Sequence, residues 1–310
     1  MECGLRALSL KPGGEVITTP FTFAATAHAI RNAGLKATFV DIRPDNYTIN
    51  PSAVEAAVSE KTVAIVGVHV FGAPCDYARL ETIAKAHGLA VFYDAAHSFG
   101  MNVDGRSIGL LGDMSMFSFH ATKVFHSVEG GMLMSTNDGW IKEATALANF
   151  GLRGDDIQGA GTNAKMSELH AVVGLSNLKH IDAILARRRH QGQLYRRLLD
   201  GIPGIHLQTL PDGDADYNFS YMPIEVVPDE YGCDRDTLQT CLAKRGVGTR
   251  RYFYPQLANA TAFAACSEMV GPLPVATRLA KRVICLPLYH RLEDVQIRDI
   301  VRIVERRASL

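Results

Sequence analysis

An excess of charge of either sign is missing from this sequence: Lys plus Arg and Asp plus Glu both total 32 in 310 residues. The balance removes the electrostatic case for a nucleic acid or an anionic membrane as partner, so any bound anion must be held by a local site. Long apolar runs are missing too. Stretches such as Thr62 to Val68 fall far short of the roughly 20 residues that cross a bilayer. The six cysteines (Cys3, Cys75, Cys233, Cys241, Cys266, Cys285) show no CxxC and no paired metal spacing. That argues against a disulfide framework or a metal site and for buried or free thiols in a reducing cytoplasm. The first residues carry no secretory pattern, and there is no internal repeat or low-complexity segment. With 47% hydrophobic and 21% charged residues, the chain reads as soluble and globular, able to bury one large core or two unequal ones.

What is present is alternation. Glu15 to Thr19, Ala37 to Val40, Thr62 to Val68 and Leu89 to Tyr93 read as strands, the third β-branched without polar alternation and so suited to cover on both faces. Between them Ala24 to Ala33, Pro51 to Val58 and Asp76 to His87 read as helices, with Pro51 at an entry and Gly34 and Gly88 at exits. Such succession predicts a mainly parallel α/β sheet whose ligands gather at the carboxyl ends of the strands. Asp113 to Phe119 and Met132 to Ser135 read as two further strands. Lys165 to Leu199 reads as long helix broken near Asp182, its arginines forming a solvated face. After Pro203-Gly204 the pattern becomes a strand (Ser220 to Val227), a helix (Arg235 to Arg245), an aromatic loop and a last helix (Asp294 to Arg306). The expected division is a large domain over 1–200 and a smaller α+β domain over 201–310.

Two positions carry chemistry. Lys123 ends the run Phe117-Ser118-Phe119-His120-Ala121-Thr122-Lys123, and Asp94 closes the strand at Tyr93-Asp94-Ala95-Ala96-His97. An amine able to form a Schiff base and a carboxylate able to hold a pyridinium nitrogen are the fixed points of pyridoxal phosphate (PLP) chemistry. Each has a plainer reading, as a solvated lysine and as an Asp that caps the next element. Ser118 and Thr122 offer hydroxyls beside Lys123, and Glu129-Gly130-Gly131 allows close backbone approach. His97 is either a hydrogen-bonded core histidine or a group at the cofactor oxygen or in a proton relay. Phe23 either packs in the core or stacks on a flat cofactor.

Pro12 to Ile17, Phe21 to Ala27, Asp94 to His97, Phe117 to Lys123 with Glu129-Gly130-Gly131, and Asn163 to Glu168, in this order, resemble the DegT/DnrJ/StrS family of PLP-dependent sugar aminotransferases. The resemblance implies a fold-type I, aspartate aminotransferase-like homodimer with active sites shared between subunits. It implies Lys123 as the Schiff-base and acid/base lysine, Asp94 on the pyridine nitrogen, Phe23 stacked on the ring, and His97 near the ring hydroxyl. Ser118 would bind the phosphate, and Asn163 would reach the phosphate of the neighbouring subunit's cofactor. The implied substrates are an amino donor, glutamate, and a nucleotide-linked keto-deoxy sugar of the dTDP-4-keto-6-deoxyhexose type. The loop Arg250-Arg251-Tyr252-Phe253-Tyr254-Pro255 either borders the sugar or packs the small domain.

One departure stands out. Relatives carry a further stretch before the Pro-Gly-x-Glu-Val motif, including a Gly-Thr turn at a helix N-terminus that binds phosphate through free N–H groups. Here Gly4 to Leu10 resembles only the end of that helix, so part of the phosphate cradle is expected upstream of Met1. Two alternatives to an active aminotransferase follow: a truncated, impaired or regulatory relative, and a PLP-dependent sugar dehydratase. The second sits poorly with Lys123 and with cysteines that lack iron–sulfur spacing.

Overall fold

The β-branched run Thr62–Val68 becomes the central strand of a seven-stranded sheet, buried on both faces as its composition requires. The computed structural model describes residues 1–210, 217–263 and 267–306; Cys266 lies outside the described residues. In chain order the first strands are β1 (Glu15–Thr18), β2 (Lys36–Phe39), β3 (Thr62–Val68) and β4 (Ala90–Asp94). A short hairpin, β5 (Asn102–Val103) and β6 (Arg106–Ser107), precedes β7 (Met114–Ser118) and β8 (Gly131–Met134). A second hairpin, β9 (Leu152–Arg153) and β10 (Asp156–Ile157), is followed by β11 (Ile205–Leu207), β12 (Met222–Val226), β13 (Ser267–Met269) and β14 (Val283–Leu286). The large sheet runs β13-β2-β1-β3-β4-β7-β8, parallel except for β8.

Helices cover both faces. Packed on one are α1 (Glu2–Ala7), α2 (Ala24–Asn32) and, further along the chain, α5 (Asp138–Ala148); on the other lie α3 (Pro51–Ala57) and α4 (Tyr77–His87). Local chemistry sets their ends. Asn50 accepts from the Ser52 N–H ahead of Pro51, Asp76 accepts from the Arg79 N–H, and Gly88 closes α4 at φ 67°. Every crossover from β1 to β4 therefore returns the chain to the same edge, and Asp94 and Ser118 end adjacent strands there.

The helical stretch expected to break near Asp182 does so at Lys179 and His180, between α6 (Glu168–Leu178) and α7 (Ile181–Leu199). Its start also moves, because the Ser167 hydroxyl caps α6 by accepting from the His170 N–H at 3.4 Å. The arginines of α7 are not simply a solvated face. Arg188 is buried and donates to the carbonyls of Phe219, Ser220 and Leu288, while Arg187 donates to the Leu292 carbonyl and pairs with Asp294. These bonds fasten α7 to the C-terminal part, which a count of charges along a helix does not reveal.

That part contains the antiparallel sheet β11-β12-β14, with α8 (Pro228–Tyr231), α9 (Arg235–Lys244) and, near the end of the chain, α11 (Asp294–Glu305). Between α9 and β14 the chain leaves it. Strand β13 pairs in parallel with β2, and α10 (Pro274–Arg282) packs with the large-sheet core through Ala276 and Leu279. The Asp41 carboxylate, just past β2, accepts from the Val275 and Ala276 N–H groups at 3.0 and 2.9 Å at the start of α10. Described residues 253–263 and 267–282 thus pack with the large sheet.

Behind β4, His69 is fully buried, accepts the Cys75 N–H at Nδ1 (3.1 Å) and stacks on Tyr93 at 4.8 Å. Burial holds its pKa down at about 3. The unfolded chain takes up a proton at this residue below about pH 6.5 while the folded chain does not, so stability is lost as pH falls from there towards 3. The slope from this residue approaches about 1.4 kcal/mol per pH unit only well below pH 6.5. In urea unfolding compared at pH 7.5 and 5.5, wild type should lose about 1.4 kcal/mol more in total than His69→Gln. An unchanged slope would contradict it.

Candidate active site

Five of the six residues singled out from sequence line one cleft of about 790 Å³ at the carboxyl edge of the large sheet: Phe23, Asp94, His97, Ser118 and Lys123. Phe23, the residue before α2, leaves its ring 62% exposed, uncovered by the chain. Ser118 ends β7, its hydroxyl accepting only a long 3.4 Å bond from the His120 N–H. Asn163 is elsewhere. It forms an isolated bridge with Asn149 on an exposed segment, and its neighbour Ala164, not Asn163, reaches the cleft.

Asp94 is 6% exposed. One oxygen accepts from the Ala96 N–H at 3.1 Å, a local turn bond, and the other accepts from the Thr26 hydroxyl at 2.8 Å. No salt bridge reaches it among the described residues. Burial pushes its pKa up, opposed by Thr26, Ala96 and the charge of Lys123. Thr26, the donor to Asp94, was passed over in the sequence reading although it lies in the quoted run Phe21 to Ala27. It sits one helical turn after Phe23 on α2 and fixes the carboxylate's orientation.

Lys123 lies in the tight turn after β7, with Nζ 5.8 Å from the centroid of Tyr221. Burial draws its pKa below the usual lysine value, opposed by Asp94, so more of it is free amine near neutrality. Tyr221, just before β12, also presents itself to His97 at 4.8 Å. It was not legible in sequence, because no local pattern marks a tyrosine that crosses from the smaller sheet to the cleft. In the Arg250 to Pro255 loop, Phe253 packs at 5.5 Å on Phe21 and 5.6 Å on Phe71 in the core of the large sheet and not in the small domain, while Arg250 and Tyr252 line the cleft.

A profile of the DegT/DnrJ/EryC1/StrS aminotransferase family matches residues 1–305. The chain belongs to that family. A curated relative, the dTDP-4-amino-4,6-dideoxy-D-glucose transaminase of Shigella dysenteriae, is 40% identical over 298 residues, covering 96% of this chain and 80% of the relative. The solved structure of DesI with its TDP-sugar product superposes with a TM-score of 0.90 at 38% identity, covering 98% of this chain and 77% of DesI. DesV of S. venezuelae gives a TM-score of 0.90 at 28% identity, covering 100% of this chain and 82% of DesV. The fold is therefore that of the fold-type I aminotransferases, and the chain is a PLP-dependent aminotransferase.

The cleft fits that cofactor. A buried carboxylate without a salt bridge, facing open space beside a lysine, lacks the cation that a protonated ring nitrogen supplies. We expect Asp94→Asn, which removes this buried charge, to leave the cofactor-free protein within about 1 kcal/mol of wild-type stability. The stabilisation conferred by added PLP should shrink by about 1.4 kcal/mol or more, a tenfold loss of affinity, in urea unfolding with and without PLP. Undiminished stabilisation would remove Asp94 from the cofactor's ring nitrogen.

Proposed function

We propose that this aminotransferase moves an amino group from glutamate to a nucleotide-linked keto-deoxy sugar, a dTDP-4-keto-6-deoxyhexose, for amino sugars of surface polysaccharides or secondary metabolites. The observation that carries the reading is the convergence of Lys123, Asp94, His97, Ser118 and Phe23 on one cleft. A second cleft of about 820 Å³ opens on the other side of the Lys123 turn and shares Thr122, Lys123, Tyr221, Arg250 and Tyr252 with the first. It is cationic. Arg188 and Arg245 line it but are bonded to protein groups, whereas Arg250 has no ion pair among the described residues and stands free for an anion. Glutamate and a nucleotide diphosphate are both anions. The dTDP sugar in the name of the Shigella relative and the TDP-sugar product of DesI favour a dTDP sugar.

In this reading Lys123 holds PLP by its amine, Asp94 by the ring nitrogen, Ser118 by the phosphate and Phe23 by stacking. PLP supplies the electron sink that makes the donor's α-hydrogen acidic. Lys123 Nζ, freed when the donor's amine takes its place on the cofactor, would take that proton from the donor and pass it to the cofactor, a role suited to an amine whose pKa burial has lowered. Donor and acceptor exchange an amino group for a carbonyl oxygen, so glutamate leaves as its 2-oxo acid and the keto sugar as an amine. Lys123→Ala should lower glutamate-dependent amination at least about 10³-fold over a panel of nucleotide-linked 3-keto and 4-keto sugars. Conversion by wild type of none of them would overturn the substrate assignment.

The enzyme works as a homodimer in the same reading. Helix α6 exposes Leu169 (80%), Val172 (63%) and Leu175 (64%), an apolar stripe suited to a second copy. The segment bearing Asn163 runs directly into α6, which places it to reach across that contact. The five described cysteines are free thiols, consistent with a cytoplasmic location, and no described helix is long and apolar enough to cross a membrane. Replacing Leu169 and Leu175 by Glu should shift the protein from dimer to monomer in sedimentation while far-UV dichroism stays unchanged. A wild-type monomer would sink the proposal.

A further inference from the structure

Phe71 is a bulky residue held at φ 58° inside the turn Val70–Gly72. Such a left-handed conformation costs of the order of 1–3 kcal/mol in a non-glycine residue and persists where its surroundings over-determine it. They do so here. The Tyr217 hydroxyl donates to the Phe71 carbonyl at 2.8 Å, and Gln208 donates to the Val70 carbonyl at 3.1 Å. A Cβ on Gly72 (φ 104°) would stand 3.1 Å from Asn218 Oδ1 and 3.2 Å from the His97 carbonyl. The Phe71 ring is fully buried and lies parallel to His97 (6.3 Å, 5°) and Phe253 (5.6 Å, 3°). This corner delivers one polar group to the cleft wall: the Phe71 N–H donates to His97 Nδ1 at 3.2 Å.

A ring nitrogen that accepts from a backbone N–H carries no proton of its own, so the proton of the neutral ring sits on the other nitrogen. We propose that the Phe71 corner is a tautomer lock, fixing His97 as the Nε2–H form with a single hydrogen-bond donor turned to the cleft. Phe71 is then a positioning residue acting through His97. The inference rests on the cofactor reading above for what the donor meets, an anionic oxygen such as the ring hydroxylate of PLP. It also selects between the two roles that the sequence left open for His97. With Nδ1 taken and Nε2 already protonated, the ring is a fixed donor and not a proton relay, which leaves proton transfer to Lys123.

Groups facing the ring oppose a second proton. The protonated form of Lys123 repels it, the rings of Phe71, Phe253 and Tyr221 exclude water, and Asp94, the carboxylate in the same cleft, is bonded to Thr26 and Ala96. Burial and the charge of Lys123 both hold the His97 pKa well below its usual value.

The test is ¹⁵N NMR of the full chain labelled at histidine, with His97 assigned by the loss of its signals in His97→Gln, without and with PLP. The expected result is an unprotonated Nδ1 and a protonated Nε2 from about pH 5.5 to about 8.5, across the ordinary histidine pKa. Replacing Phe71 by its α-hydroxy acid, which changes only the N–H to an ester oxygen, should mix the two neutral tautomers, so that Nδ1 gains protonated character, while burial and Lys123 still oppose a second proton. A protonated Nδ1 in wild type, or an ester variant with the wild-type pattern, would overturn the lock. If the lock is seen but PLP leaves the Nε2 resonance unmoved, the donor role towards the cofactor fails while the lock stands.

Discussion

A carboxylate held out of water at the end of β4 is the constraint around which the site is arranged. Burying Asp94 without a salt bridge is tolerated because two donors, one from its own turn and one from α2, take its oxygens, and because Lys123 lies close enough for its charge to help. Those donors also fix the direction in which the remaining charge faces. The sheet brings the chain to this point: Asp94 lies beside Met116 across β4 and β7, so the turn that follows Ser118 carries Lys123 over the same edge. Placing the two groups depends on strand register, which is why their separation of nearly thirty residues in sequence matters little.

Around that pair the protein spends aromatic surface where many enzymes use charge. Tyr221 stands beside both Lys123 and His97, and Phe71, Phe253 and His97 lie nearly parallel beneath them. Rings exclude water, which lowers the pKa values of Lys123 and His97 and raises that of Asp94. One environment therefore produces three shifts, and each favours the less charged form. The anion-binding capacity lies to the side, where Arg250 stands at the passage between the two clefts and its backbone is held by Cys285.

The C-terminal part contributes more than a lid. Through β13, α10 and the Asp41 bonds it becomes an edge of the large sheet, and through Arg187 and Arg188 it is fastened to α7. Tyr221, Arg250 and Tyr252 reach the Lys123 cleft because of those attachments. Cleft-lining groups are thus supplied by chain far from the motifs that identify the family.

Much of this was legible beforehand. The strand at Thr62–Val68 and the helix ends at Asn50-Pro51 and Gly88 follow from local rules, β-branching and caps, and Lys123, Asp94, His97, Ser118 and Phe23 were marked as candidates by motifs whose order resembles a family. Such features depend on neighbours in sequence, so sequence by itself determined them. Tertiary structure alone decided the rest. The hydroxyl of Thr26 on Asp94, the N–H of Phe71 on His97 and the pairing of Ser267–Met269 with β2 each join residues more than twenty positions apart, and no periodicity records them. Nor does a sequence carry burial. Asp94, Lys123 and His97 are ordinary ionisable residues until packing removes their water, and it is that desolvation that sets their protonation and their chemistry.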